Sequence, residues 1–361
     1  NTLNPSQTSR TKPDQAESQI LNMATTQQTV VTVTAFNPAS YLDTIQVTKA
    51  PIPSPGPGEA LVALKLRPIN PADVFSCMGV YPAFQPKSMP CTPGMEGVGV
   101  VSALGAGVTS PSVGTRVTAM DWPCVGGGNG LWQEYITIPA NMLTVVPDDI
   151  PDDAAACAMV NPVSVLGMLD LVGPVPAGQY LIVTAAGSAL GKMTLRLCKD
   201  RNIKTIGVVR RTEQFDELKA EGATAMVAIT DNLVADIGAI TGEQGAYAAM
   251  DCLCGDIVSK LCQAVKRGGT VVLYGAMCGP TFQLSVADTL FRQMQIKGYW
   301  CHLQIHDMDA ATRAEYMVKI FDLYRRGIFV SGAGETMPLA SVVEGLKAHS
   351  QTARSGKIML A

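Results

Sequence analysis

An apolar run, Tyr180-Leu-Ile-Val-Thr184, gives way to the small residues Ala185-Ala-Gly-Ser-Ala-Leu-Gly191 and then to a helical pattern. Gly187 permits a sharp turn after a strand, and Gly191 permits a helix to start close against it. Between them, the backbone N–H groups of Ser188, Ala189 and Leu190 stand at the positive end of a helix, where a pyrophosphate binds well. Ala189 occupies the place of a middle glycine in the G-x-G-x-x-G pattern. Small residues also serve plain strand–helix packing. The position after a strand, opening a helix and followed by further strand–helix units, points to a dinucleotide.

The end of the next strand, Ile206-Gly-Val-Val-Arg-Arg-Thr212, selects the nucleotide. A carboxylate there would accept from the ribose 2′-hydroxyl of NAD and repel a 2′-phosphate. Arg210 and Arg211, with Thr212, instead offer charge-assisted bonds to that phosphate, so the expected cofactor is NADPH. The competing reading is two solvated arginines at a helix start.

Ten cysteines raise the question of a metal or of disulfides. Cys252 and Cys254 are the nearest pair, placed by period two on one face of an expected strand. No second pair stands at zinc-finger distance, and only His302, His306 and His349 could join them. Reduced packing cysteines are expected, and no metal. His302 and His306 have no identifiable acid partner, so neither is taken as a catalytic base.

The elements that must position these groups fall into two rhythms. From about residue 30 to 160, short β-type runs are cut by Gly and Pro: Thr29–Thr34, Glu59–Leu66, Gly97–Ala103, Arg116–Ala119 and Glu134–Ile138. From 180 to 300, apolar strands alternate with amphipathic helices, which predicts a parallel sheet covered on both faces. The expected strands are Tyr180–Thr184, Thr205–Val209, Ala225–Ile229, Ala248–Leu253, Thr270–Tyr274 and Gln295–Gly298. A helix, Ala310–Arg326, and a last strand, Lys357–Leu360, close the chain.

With 361 residues, 47% hydrophobic and 16% charged, the chain can fill about two domains. Its net charge of −3 argues against a nucleic-acid or anionic-membrane partner. No apolar run reaches the ~18 residues of a membrane span. Residues 1–28, rich in Ser, Thr, Gln and Asn, are expected to be a mobile arm. Arg10 and Lys12 there favour a transit peptide, Asp14 and Glu17 oppose it, and Met23 is an alternative initiator.

From about residue 30 onward the chain resembles the medium-chain dehydrogenase/reductase superfamily. Pro51–Val62, the run Pro93-Gly-Met-Glu-Gly-Val-Gly-Val-Val-Ser-Ala-Leu-Gly-Ala-Gly-Val108 and Val113-Gly-Thr-Arg-Val117 carry the likeness. Where zinc-dependent members have Gly-His-Glu, this chain has Gly94-Met95-Glu96, and Asn70 replaces another zinc-binding Cys. Thioether is a poor Zn²⁺ ligand beside imidazole or thiolate. Within the zinc-free branch the chain resembles the trans-2-enoyl-thioester reductases of mitochondrial fatty-acid synthesis. The matching runs are Ile69-Asn-Pro-Ala-Asp73, Gly79-Val-Tyr-Pro82, Val160-Asn-Pro162, Arg267–Met277, Lys297-Gly-Tyr-Trp300 and Asp322–Gly327.

The resemblance implies a Rossmann-type doubly wound parallel sheet with a GroES-like, mostly β catalytic domain. It divides the chain into the arm (1–28), the catalytic domain (29–160), the NADPH-binding domain (161–308) and a return to the catalytic domain (309–361). It makes Tyr81 the catalytic residue and places Asn161, Tyr274, Gly275, Ala276, Met277, Tyr299, Trp300, Cys301 and Lys357 at the cofactor. Asn70 and Trp300 would meet the substrate, with Trp300 either walling an acyl pocket or packing in the core. The implied substrate is an enoyl thioester, free or held by a carrier protein. A homodimer and a mitochondrial site are implied too, with the cytoplasm as alternative. A quinone oxidoreductase and a non-catalytic, crystallin-like NADPH-binding protein are the competing functions.

Overall fold

A computed structural model of the chain describes residues 26–122, 127–351 and 356–361. Residues 1–25 of the expected arm, Arg10, Lys12 and Met23 among them, and Cys124 lie outside the described residues. The arm ends sooner than expected, because β1 already begins at Gln27 (Gln27–Val33). It pairs antiparallel with β2 (Ile45–Pro51), a strand the sequence pattern does not reveal.

A seven-stranded sheet gathers β3 (Glu59–Pro68), β4 (Val98–Leu104), β5 (Arg116–Thr118), β6 (Tyr135–Pro139) and β7 (Thr144–Val145). Six further strands form a separate sheet: β8 (Tyr180–Thr184), β9 (Lys204–Val209), β10 (Ala225–Ala228), β11 (Ala246–Asp251), β12 (Val265–Leu273) and β13 (Gln295–Gly298). All its pairings are parallel, in the order β10-β9-β8-β11-β12-β13. The strand order reverses between β8 and β11, the place where such sheets take ligands beyond their carboxyl ends.

The chain then returns. β14 (Ala333–Met337) pairs with β15 (Lys357–Leu360), and β15 runs antiparallel to β3. Arg67, almost wholly buried at the end of β3, fastens this return. Its Nε donates to the Leu131 carbonyl at 2.9 Å, Nη1 to Leu360 at 3.5 Å and Nη2 to Gln133 at 2.5 Å. Burial holds its guanidinium down to about 10, against the opposing pull of Glu134.

The helix Val160–Val172 lies between the two sheets' territories, with Asn161 through Leu169 buried. It shares one apolar cluster with Val98 and Met120 on one side and Leu181 and Val183 of β8 on the other. A helix apolar on every face carries no amphipathic period, so its pattern is invisible in sequence.

One expectation is corrected at β11. That strand ends at Asp251, so Cys252 and Cys254 do not share a strand face, and Cys254 takes a left-handed φ of +60°. Asp251 causes the break: its carboxylate accepts from the N–H of Leu253 at 3.2 Å and of Cys254 at 2.8 Å, curling the chain off the sheet. No helix among the described residues is long and apolar enough to cross a membrane.

A cleft at the carboxyl ends of the parallel strands

Ser188 caps the helix Ala189–Asp200, its Oγ accepting from the Gly191 N–H at 3.0 Å. The Lys192 N–H reaches the Ser188 carbonyl at 2.9 Å. The first N–H groups of a helix have no partner within it. Those of Ala189 and Leu190 therefore remain as outward donors, a fit for a phosphate. Gly191 is needed for close approach: a Cβ there would sit 2.6 Å from the Ala185 carbonyl oxygen. Gly187 has a different role from the one its spacing suggests. The left-handed residue of the turn is Ala185, at φ +46°, and a Cβ on Gly187 would meet only the end of the Gln214 side chain, at 2.8 Å. That same proximity brings the loop after β9 beside the phosphate-binding turn. Arg210, Arg211 and Thr212 stand exposed at its start.

The next strand ends bring up the other expected residues. Thr184 Oγ1 donates to Asp251 Oδ1 at 2.6 Å, locking the ends of β8 and β11 together. The Tyr274 N–H donates to the Asp251 carbonyl at 2.9 Å and the Met277 N–H to the Cys252 carbonyl at 3.0 Å. Gly275 allows that approach, since a Cβ would lie 2.9 Å from the Cys252 oxygen. With Ala276, these residues form a short backbone shelf over the switch point, from which Met277 projects, 52% exposed.

Beyond β13, side chains alternate in direction. Tyr299 Oη donates to the Val163 carbonyl at 3.1 Å and also meets Gln304, and Cys301 Sγ approaches the Val160 carbonyl at 3.8 Å. Both side chains are thus engaged with the helix Val160–Val172, beside Asn161. Trp300 between them points the other way, and its Nε1 donates to Tyr81 Oη at 2.9 Å.

Tyr81 reaches this meeting point from the other sheet's side of the cleft. The helix Pro71–Met78 ends at Gly79, whose φ of +77° only glycine adopts easily, and whose missing side chain leaves room for the Phe36 ring. The turn presents Tyr81 half-buried. Burial pushes its phenol above the ordinary value of 10.0, the Trp300 bond works the other way, and Cys301 and Asp73 add to the rise.

Behind Tyr81 lies a buried polar group that the sequence pattern did not assemble. Glu96 Oε1 accepts from Asn70 Nδ2 at 2.9 Å and from Lys357 Nζ at 3.2 Å. Its Oε2 accepts from the N–H groups of Met159 at 3.2 Å and Val160 at 2.9 Å. Lys357 Nζ also lies 3.9 Å from Cys157 Sγ. The Lys357 side chain, expected at the cofactor, is thereby engaged with Glu96; its backbone N–H bonds the Gly332 carbonyl at 2.7 Å. Asp73 Oδ2 accepts from the Asn70 N–H at 2.8 Å. Asn70 Oδ1 and Asp73 Oδ1 are buried without a partner among the described residues. The runs Gly94-Met95-Glu96 and Asn70–Asp73 were the only signals of this cluster in the sequence.

Comparisons with known proteins agree with this architecture. The alcohol dehydrogenase GroES-like domain family matches residues 56–148, and the zinc-binding dehydrogenase family matches residues 189–314. The human synaptic vesicle membrane protein VAT-1 homolog is 27% identical over 331 residues, covering 88% of this chain and 82% of its own length. Mitochondrial enoyl-[acyl-carrier-protein] reductase of Bos taurus is 28% identical over 305 residues, covering 83% of this chain and 80% of its own. Escherichia coli quinone oxidoreductase, solved in complex with NADPH, superposes with a TM-score of 0.81 over 92% of this chain and 99% of that one, at 20% identity.

Proposed function

This chain belongs to the medium-chain dehydrogenase/reductase superfamily, and from that premise we propose that it reduces the C=C bond of trans-2-enoyl thioesters with NADPH. The observation that carries the reading is the phenol of Tyr81, held by Trp300 where the parallel strands end. The mitochondrial enoyl reductase relatives support the same substrate class and a mitochondrial location.

The residues present fit the cofactor. Ala189 and Leu190 offer N–H donors to the pyrophosphate, Gly191 keeps the loop tight, and Arg210, Arg211 and Thr212 face the place of a 2′-phosphate. Asn161 and the Tyr274–Met277 shelf border the nicotinamide end. NADPH, when bound, supplies a hydride to the β carbon of the enoyl group. Charge then collects on the thioester oxygen. Tyr81 donates its O–H to that oxygen or passes it the proton, and a positioned donor in a water-poor site stabilises such charge strongly. Asn70, beside it and tied to Glu96, orients the polar end of the substrate. The division into catalytic domain (29–160 with 309–361) and cofactor domain (161–308) follows the two sheets. We further propose a homodimer that pairs β13, an edge strand, near the exposed Val286, Leu290 and Phe291.

The test is a spectrophotometric panel of crotonyl and longer enoyl thioesters, on coenzyme A and on acyl carrier protein, beside quinones, with NADPH and NADH. Turnover of thioesters with NADPH well above that of quinones is expected. The reverse ranking would make the chain a quinone oxidoreductase. Tight NADPH binding with no turnover would make it a non-catalytic, crystallin-like protein.

A further inference from the structure

Trp300 begins the helix Cys301–Asp307, in extended conformation at φ −133° and ψ 111°. Its ring meets Tyr81 edge to face, centroids 6.1 Å apart and planes at 89°, and the His302 ring lies 5.4 Å from it. The two partners are 219 residues apart and come from opposite sides of the cleft.

The chemistry of this contact has a fixed direction. An indole N–H only donates, so the phenol oxygen must accept, and its own hydrogen must point elsewhere. Among the described residues no acceptor takes the Tyr81 hydrogen. A hydroxyl that accepts one bond also becomes a better donor of its own, because hydrogen-bond chains polarise one another.

We propose that Trp300 is the positioning residue of Tyr81. Its N–H fixes the rotation of the phenol and leaves the O–H free for a substrate oxygen in the cleft. This role is separate from lining a pocket or stacking on a cofactor, which any aromatic ring would do. It rests on the reading of Tyr81 as catalytic residue, and its test also has a readout independent of turnover.

That readout is the phenol itself. The nine tyrosines are replaced biosynthetically by difluorotyrosine, whose phenol ionises at lower pH, so titration is complete while the chain stays folded. The Tyr81 fluorine resonance is assigned by its loss in Tyr81→Phe. In Trp300→Phe, which keeps an aromatic ring and removes the N–H, the Tyr81 midpoint should move further up. Asp73 and Cys301, the other groups that act on this phenol, are common to both proteins and cancel in the comparison; only the stacking of His302 on residue 300 changes with it. To separate that change and any misfolding, benzothienylalanine at position 300 keeps the indole shape while replacing N–H by sulfur, and it should give the same upward shift.

The kinetic arm is a double-mutant cycle. Trp300→Phe should lower kcat for an enoyl thioester about tenfold, the effect of one lost hydrogen bond, with the KM for NADPH within about twofold of normal. In a Tyr81→Phe background the same change should cost nothing further, because no phenol oxygen remains to hold. An unmoved Tyr81 midpoint, or losses that multiply in the double variant, would overturn the proposal. If the unmodified protein turns over no enoyl thioester, the functional reading fails, and the titration alone decides the role of Trp300.

Discussion

Glu96 and Lys357, 261 residues apart in the chain, meet at 3.2 Å with 1% and 4% of their surfaces exposed. Burial would lower the Lys357 ammonium, but Cys157 and Glu96 outweigh it and the net shift is upward. The pair joins β15 to the loop before β4 at the floor of the cleft. Removing one partner of a buried pair leaves an uncompensated charge, at about 3–5 kcal/mol. Lys357→Met should therefore lower unfolding free energy by about that amount, read from urea titration at neutral pH. Adding Glu96→Gln should recover part of the loss, since Gln still has one oxygen to accept from Met159 or Val160. No recovery would mean that the lost packing of the lysine stem, and not the stranded charge, sets the cost.

Arg210→Glu should raise the KM for NADPH tenfold or more. A lost charge-assisted contact costs ~1.5–3 kcal/mol, and repulsion of the 2′-phosphate adds to it. The KM for NADH should change little. Equal use of both cofactors by the unmodified protein would remove Arg210 and Arg211 from the specificity argument.

What the sequence disclosed divides along physical lines. β8, β13 and β15 were bounded correctly because apolar runs ending in Gly, Ser or Lys are local signals. The cap at Ser188 and the closeness at Gly191 were readable for the same reason. Two features were not. The helix Val160–Val172 is buried all round and lacks a period, and β2, with alternating exposed polar residues at an outer pair, has too little apolar content to stand out. Ala185 took the left-handed turn assigned to Gly187, since the N–H of Ala186 bonds the Val208 carbonyl at 3.3 Å and sets the bend one strand-end earlier. The pairings Glu96–Lys357 and Tyr81–Trp300 are products of topology. A residue list can nominate such side chains, but only the fold chooses their partners.

No functional metal is expected. Met95 replaces an imidazole ligand, the Asn70 amide replaces a thiolate, and the Glu96 carboxylate is fully occupied by protein donors. Exhaustive chelation should leave turnover and thermal stability unchanged. A real site would bind zinc stoichiometrically and couple to folding, so elemental analysis finding one zinc per chain would overturn this.

Tyr81→Phe keeps the ring and removes the O–H. Losing one donor to a developing oxyanion lowers kcat by about 10²–10³. NADPH affinity should hardly move, because the phosphate-binding groups lie on the other sheet. A fall in kcat with cofactor binding intact marks an interaction made mainly in the transition state. Near-normal turnover of an enoyl thioester by the Phe variant would reduce Tyr81 to packing between the two sheets.

Asp73 makes the final prediction, a pH dependence of stability. Burial pushes its carboxyl from an ordinary 3.8 up to about 7, with the Asn70 N–H and Lys357 pulling down and Glu96 pushing up. Between those values the folded chain holds a proton that the unfolded chain has released. Stability from this group is therefore fully present below pH 3.8 and falls as pH rises to about 7. The total is of the order of 4 kcal/mol at about 1.4 kcal/mol per unit. Asp73→Asn keeps an oxygen for the Asn70 N–H and cannot ionise. Unfolding free energies of both proteins, measured in urea from about pH 4.5 to 8, isolate the term as their difference. The unmodified protein should lose ground to the variant steadily up to about pH 7 and no further beyond it. A difference that stays flat across the range would show that Asp73 is ionised throughout, with Lys357 shared between two carboxylates.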